Sequence, residues 1–319
     1  MTGLLDAVRA ELSRQVLSSG LPRKLQAEIL QESPERSGVL LSGHPATLAA
    51  LPLAAFESAG GGLASLAASA GAAMEFLLAA GDVLDDMQDA AGPPDEGGPA
   101  AFHAELISAL LVLSQGALLG IAGDSIPGRR VLKGLSILNQ LEVRALAGQH
   151  VDVSADGAAV SSISDSLATT VAKSGSLGRC AGMIGAALAT DDVDVIDKHG
   201  KFGEHLGTVY QLMNDIDAVW PGGSESTDLS LGRSTPPISF ARLSDLNADA
   251  AVAAFMDAVS GGKPSSKDME VRVRKALLES GGIHFAWVQA SIHRARAMAI
   301  AEDIRKTNSA SRLDIFFDK

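Results

Sequence analysis

Apolar residues recur along this chain at helical spacing from one end to the other, without the strict alternation that a half-buried strand would show. Residues 3–18 place Leu4, Leu5, Val8 and Leu12 on one side of a helix. The same periodicity predicts helices over 21–32, 44–58, 61–90, 99–121, 128–150, 161–172, 174–190, 192–219, 235–243, 247–260, 267–279 and 282–307. The breaks carry stop chemistry: Ser19-Gly20-Leu21-Pro22, Ala91-Gly92-Pro93-Pro94, Pro127-Gly128, Pro221-Gly222-Gly223 and Gly261-Gly262-Lys263-Pro264. No internal repeat or Ser/Gly-rich linker divides the sequence, so one helical domain over 1–319 is the simplest organisation. The longest polar loop, 221–234, directly follows an acidic helix end, a place where loops more often work than merely connect.

Two stretches are apolar enough to raise the question of a membrane. Residues 106–123 carry no charge and residues 59–81 carry only Glu75, but both are rich in Gly, Ala, Ser or Gln. We read them as helices buried on all sides of a large bundle, with no membrane span. The N-terminus lacks the basic start and apolar run of a secretory signal, so a cytoplasmic protein is expected. Composition sharpens the fold class. Aromatics make up 4% of residues while Ala, Gly, Leu and Ser dominate, which suits closely packed helices better than strands. The 38 acidic and 26 basic residues leave a formal charge of −12, which argues against nucleic-acid binding. The single cysteine, Cys180, rules out an internal disulfide and a multi-cysteine zinc site, and its Gly/Ala-rich surroundings read as core packing.

The chemistry is concentrated in acidic residues. In Asp85-Asp86-Met87-Gln88-Asp89, Asp85 and Asp89 stand about 400° apart on a helix, one turn from each other on the same face. Like charges so placed repel unless something compensates, and Mg²⁺ does so by binding carboxylates while keeping water and phosphate oxygens as its other ligands. A second cluster, Tyr210-Gln211-Leu212-Met213-Asn214-Asp215-Ile216-Asp217, again ends an apolar helix. Between the two lie Gln149 and Asp152 in GQHVDVS, then Lys173-Ser174-Gly175; Asp228 and Arg233 follow. Acids on two helices with cations between them suit the clamping of a diphosphate through Mg²⁺ and Lys or Arg.

In order and spacing these elements resemble the polyprenyl synthetase family, the trans-isoprenyl diphosphate synthases. Asp85–Asp89 matches the first aspartate-rich motif DDxxD, Gln149-His150-Val151-Asp152 the GQxxD element, and Lys173-Ser174-Gly175-Ser176-Leu177 the K-T-G-x-L element. Gly207 to Asp215 resembles the approach to the second aspartate-rich motif, and Asp228 through Pro237 the D-L-x-x-G-K-x-T-L-P segment, with Arg233 in the place of its lysine. The resemblance runs over residues 40–240 and implies an all-α fold, a single large helical bundle of the isoprenoid synthase type with a central apolar pocket. It also implies a homodimer and three Mg²⁺ ions, with Asp85, Asp89, Asn214 and Asp215 as metal ligands and Asp86 supporting them. Lys173 and Arg233 would hold the diphosphate, with Gln149, Asp152, Gln211 and Asp228 beside the substrate.

The departures from the family carry the functional expectation. Chain-elongating members bind isopentenyl diphosphate through G-G-K-R-x-R-P, and here the matching stretch is Ser42-Gly43-His44-Pro45-Ala46-Thr47-Leu48. Leu78 stands where the family has a histidine, and Pro94 and Asp95 where it has an Arg pair. Each lost charge-assisted contact to a diphosphate is worth about 1.5–3 kcal/mol, so the homoallylic site should be gone. Arg144 and Arg179 are candidates to replace the missing cations. The second motif begins Asn214-Asp215 and lacks its final aspartate. Residues four and five before the first aspartate, Gly81 and Ala80, would leave the hydrocarbon pocket deep, with Phe76 or Leu77 as its floor. The resulting expectation is Mg²⁺-dependent ionisation of a C15–C25 allylic diphosphate, followed by cyclisation or elimination as in class I terpene synthases, without elongation. Alternatives are prenyl transfer to a peptide or other acceptor, ordinary elongation, or a catalytically silent partner subunit of a prenyl synthase.

Overall fold

Periodic apolar faces collapse here into helices packed on helices, and no strand occurs among the described residues. The structure is a computed structural model that describes residues 2–30, 47–89, 99–121, 126–154, 162–219, 235–243 and 267–317. The expected all-α fold is observed. The helices are α1 (Thr2–Ser18), α2 (Arg23–Leu30), α3 (Thr47–Ser58), α4 (Ala68–Asp89), α5 (Pro99–Leu119), α6 (Gly128–Ser154), α7 (Ile163–Thr170), α8 (Ser176–Ala189), α9 (Val193–Val219), α10 (Pro236–Leu243), α11 (Lys267–Glu279) and α12 (Gly282–Thr307). The helix expected over 247–260 lies outside the described residues. The chain groups into two compact units, one of Met1–Leu141, Leu177–Gly203 and Ala297–Lys319, the other of Glu142–Ser176 and Glu204–Arg296.

In the first unit α4 is the central element, packed by α1, α3 and α5. Val8, Leu12 and Val16 bury one stripe of α1, while Gly20, with φ of 77°, ends the segment at the stop signal. Small residues let backbones approach. A methyl group on Gly71 of α4 would stand 2.6 Å from the Ala49 carbonyl oxygen of α3 and from Val8 Cγ2 of α1. Gly182 and Gly185 of α8 likewise lie against the backbone carbonyls of His199 and Pro52. Cys180 is fully buried on the same helix, as expected of a packing residue. The C-terminal turn Leu313–Phe316 is tied down by Phe316 edge-on to Phe202, with centroids 6.1 Å apart, and by the Asn308 amide donating to the Ser58 carbonyl at 2.8 Å.

One expectation for this unit fails. The stretch 106–123 was expected to be buried on all sides, but only 28% of the apolar window Phe102–Leu119 is buried, and Val112 and Leu119 of α5 are 70% and 51% exposed. Helix α4 and the turn before it, also long and apolar enough to span a bilayer, are 61% buried over the corresponding window and serve as core.

The second unit is built on a smaller core of Val219, Ile238, Ala241, Val273 and Leu277, with Ile283 against it. Phe240 and Phe285 stack at 4.5 Å, joining α10 to α12. Arg274 of α11 donates from Nε to the Val219 carbonyl at 2.9 Å, satisfying an orphan acceptor at the C-terminus of α9 and placing a cation on the negative end of that helix. The break expected between 172 and 174 is absent: α7 runs into a π-helical turn, Val171–Gly175, which passes directly into α8.

Candidate functional site

The first acidic motif occupies the last turn of α4. Up to Ala80 the helix is almost wholly buried, with Phe76 at 0% and Ala80 at 3% exposure. Gly81 then emerges, and a side chain there would meet nothing within 4 Å. Asp85, one turn further on the same face, is partly exposed, and Asp86 is exposed. Thus the wall of the helix opens immediately before the aspartates. Of the residues expected to line a pocket, Gly81 faces open space while Ala80, Leu77 and Phe76 are packed inside the unit. Asp89 closes the helix, but its side chain lies outside the described residues, as does that of Asp152. Asp228, Arg233 and the 42–46 segment also lie outside them.

Among the described residues, the second unit brings Gln149 and the second acidic helix to the π turn. Lys173 stands within it, half-buried, on a turn type that recurs at functional sites. Two glycines bring the neighbouring helices close to this turn. A methyl group on Gly148 of α6 would lie 2.6 Å from the Lys173 amide nitrogen, and one on Gly175 would lie 2.9 Å from Thr208 Oγ1 of α9. Gln149, the residue after Gly148, is buried.

On α9, Asp215 is 3% exposed, a carboxylate taken almost fully out of water. It is held by a relay: the Ser174 hydroxyl donates to Gln211 Oε1 at 2.6 Å, and Gln211 Nε2 donates to Asp215 Oδ1 at 2.8 Å. The amide of Gln211, the residue expected beside the substrate, joins the π turn to the acidic helix and holds Asp215. The Gln211–Asp215 contact follows from i, i+4 spacing, whereas Ser174, 37 residues away from Gln211, gave no sequence signal of its partner. Asn214 is exposed and leaves the helix about 100° from the buried Asp215.

The candidate replacement cations are both paired. Arg144 lies 3.9 Å from Glu204, and Arg179 donates to Asp197, whose carboxyl is held below the usual range by Lys201 and Arg179 despite partial burial. A pairing missed in the sequence joins α9 to α12: His205 and His293 meet Nδ1 to Nδ1 at 3.1 Å, one ring donating to the other. Burial, then His205 and Arg296, push His293 down to about 4.

As for metal, no group of three His, Cys, Asp or Glu side chains converges among the described residues. The donors contributed by Asp85, Asp86 and Asp215 are all carboxylate oxygens, which suit a hard divalent cation such as Mg²⁺ and not a soft one.

The polyprenyl synthetase family model matches residues 49–270. The chain belongs to the polyprenyl synthetase family. Its members are prenyltransferases, and the matched span contains both acidic motifs and the Lys173 turn. No curated protein matches significantly. Among solved structures, a polyprenyl synthetase from Streptomyces coelicolor A3(2) is similar with a TM-score of 0.78 at 20% identity, covering 99% of each chain. A polyprenyl synthase from Caulobacter crescentus CB15, complexed with calcium and isoprenyl diphosphate, has a TM-score of 0.76 at 18% identity over 99% of this chain and 97% of the other. Heptaprenyl diphosphate synthase from Staphylococcus aureus has a TM-score of 0.77 at 15% identity over the same shares. These likenesses establish the isoprenyl synthase fold.

Proposed function

We propose that the protein ionises a C15–C25 allylic prenyl diphosphate with Mg²⁺ and resolves the cation by cyclisation or elimination, without adding isopentenyl diphosphate. One observation carries this reading: the acidic motif on α4 is kept, while the element that should grip a second diphosphate reads Ser42-Gly43-His44-Pro45-Ala46-Thr47-Leu48 and holds no Lys or Arg. With Arg144 and Arg179 each already paired, neither is a ready substitute.

On α4, Asp85 and Asp89 would bind two Mg²⁺ ions with Asp86 supporting them; on α9, Asp215 with Asn214 would bind a third. Ions held by these residues would supply positive charge against the departing diphosphate. The protein's own part is positional. The Ser174–Gln211 relay fixes Asp215 before substrate arrives, the π turn presents Lys173, and Arg233 supplies a second cation to the leaving group. Such preorganised charge is worth more in a site from which water is excluded. In this reading the hydrocarbon chain would start in the open space beside Gly81, one turn from Asp85. A homodimer is part of this reading, supported by the uncovered apolar stripe of Val112 and Leu119 on α5.

The test is release of diphosphate from geranylgeranyl diphosphate with Mg²⁺ and no isopentenyl diphosphate. Release that disappears in Asp85→Ala and Asp215→Ala is expected. Failure of the wild-type protein to release diphosphate from any allylic substrate would favour the silent partner subunit, for which the altered second motif speaks.

A further inference from the structure

Helix α12 is apolar on two sides. One side is packed through Ala286 and Ala290, at 0% and 4% exposure. The other carries Trp287, Val288 and Ile292, exposed by 59%, 48% and 38%. Together with Ser291 and Ala295, both exposed, these residues form one stripe at i, i+1, i+4, i+5 and i+8. The Ser291 hydroxyl donates back to the Trp287 carbonyl at 2.9 Å, so the single polar side chain in the stripe is satisfied within its own helix. A tryptophan left more than half in water is an unusual use of the largest apolar side chain.

Along this stretch of sequence the charge is the reverse of the chain's. The protein carries −12 overall, yet Ser280 through Ala301 contain no Asp or Glu and do contain Arg294, Arg296, His284 and His293. Arg294 and Arg296 are exposed. Long cationic side chains beside an exposed Trp suit the boundary between headgroups and acyl chains: the ring enters the boundary while guanidinium groups reach the phosphates.

We infer that the Trp287–Ala295 face of α12 docks the protein peripherally on an anionic lipid surface, with Trp287, Val288 and Ile292 entering the interface and Arg294 and Arg296 meeting lipid phosphates. The inference is independent of which prenyl reaction the protein performs.

The experiment uses the full chain with Trp220→Phe, so that Trp287 is its sole tryptophan, and vesicles of phosphatidylcholine alone or mixed with phosphatidylglycerol. Expected are co-sedimentation with the anionic vesicles only, a shift of Trp287 emission to shorter wavelength on binding, and loss of both at high salt. Trp287→Ala should abolish co-sedimentation in the background that retains Trp220, and Trp287→Phe should retain part of it. Arg294→Glu, which removes one cation and adds an anion, should weaken it by at least about fivefold. Trp287 and Arg294 are exposed, and unchanged helical circular dichroism checks the fold of every variant. Absence of vesicle binding, equal binding to neutral vesicles, or an unmoved Trp287 emission would overturn the inference. So would a Trp287-dependent change in sedimentation coefficient without vesicles, which would assign the face to a second copy, or binding to an acidic protein in its place.

Discussion

Replacing Gly148 by alanine adds one methyl group where α6 crosses the Lys173 turn. The new Cβ would stand 2.6 Å from the Lys173 nitrogen, 2.8 Å from the Ala172 carbonyl carbon and 3.0 Å from Lys173 Cα. All three are backbone atoms, so no flexible side chain can swing aside; the turn or the helix must shift by several tenths of an ångström. Overpacking of this kind costs about 1–3 kcal/mol, and alanine returns at most about 1 kcal/mol through its helix preference. A net loss of about 1–2 kcal/mol in urea unfolding is expected. Because the displaced backbone carries Lys173 and Ser174, diphosphate release should fall by at least about tenfold, the scale on which small misplacements act in a preorganised site. Gly134→Ala on the same helix is the control. Its Cβ would meet Ile184 and Leu188 side-chain atoms at 3.8 and 4.0 Å, ordinary contact distances, so it should be neutral or stabilising by up to about 1 kcal/mol. A Gly148→Ala protein as stable and active as the wild type would refute the close-packing argument.

Gln211→Leu removes the donor to the buried Asp215 carboxylate and should cost about 1.5–3 kcal/mol of stability when that charge is left less satisfied, together with most of the Mg²⁺-dependent activity; titration of activity against Mg²⁺ checks it, and Ser174→Ala should show a smaller loss of the same kind. Gly81→Phe should leave unfolding unchanged, since its Cβ meets open space, yet shift the preferred substrate toward shorter chains in a competition between farnesyl and geranylgeranyl diphosphate. Stability should be greatest above pH 6.5 and decline toward pH 4: His293 is depressed to about 4 by burial, His205 and Arg296, with Glu204 opposing, so the unfolded chain takes up protons first as pH falls. His199, buried and likewise depressed, acts in the same direction, and urea midpoints across that range should flatten in His293→Gln.

The parts of this molecule written in local sequence were legible. The Val8–Leu12 face of α1, the glycine stop at Gly20 and the opening of α4 toward Asp85 each depend on residues within a turn or two of one another. Contacts between distant segments were not. The polar Lys173-Ser174-Gly175 run reads as a helix break because it interrupts the apolar period, but the chain widens into a π turn, with Gly148 packed on it, and continues. The Ser174–Gln211 bond and the His205–His293 pair join residues whose separations carry no periodic signal. Helix α5 was misread for a different reason. An uncharged run reports a preference for leaving water, and that preference is the same whether the cover comes from the chain itself or from another molecule; Val112 and Leu119 are uncovered here.

The central claim is ionisation without elongation. Product analysis with Mg²⁺ and farnesyl, geranylgeranyl or geranylfarnesyl diphosphate, each with and without isopentenyl diphosphate, tests it most directly. A hydrocarbon or terpene alcohol is expected from at least one substrate in the absence of isopentenyl diphosphate, unchanged when it is added and gone in Asp85→Ala. Longer prenyl diphosphates formed only when isopentenyl diphosphate is present would contradict it.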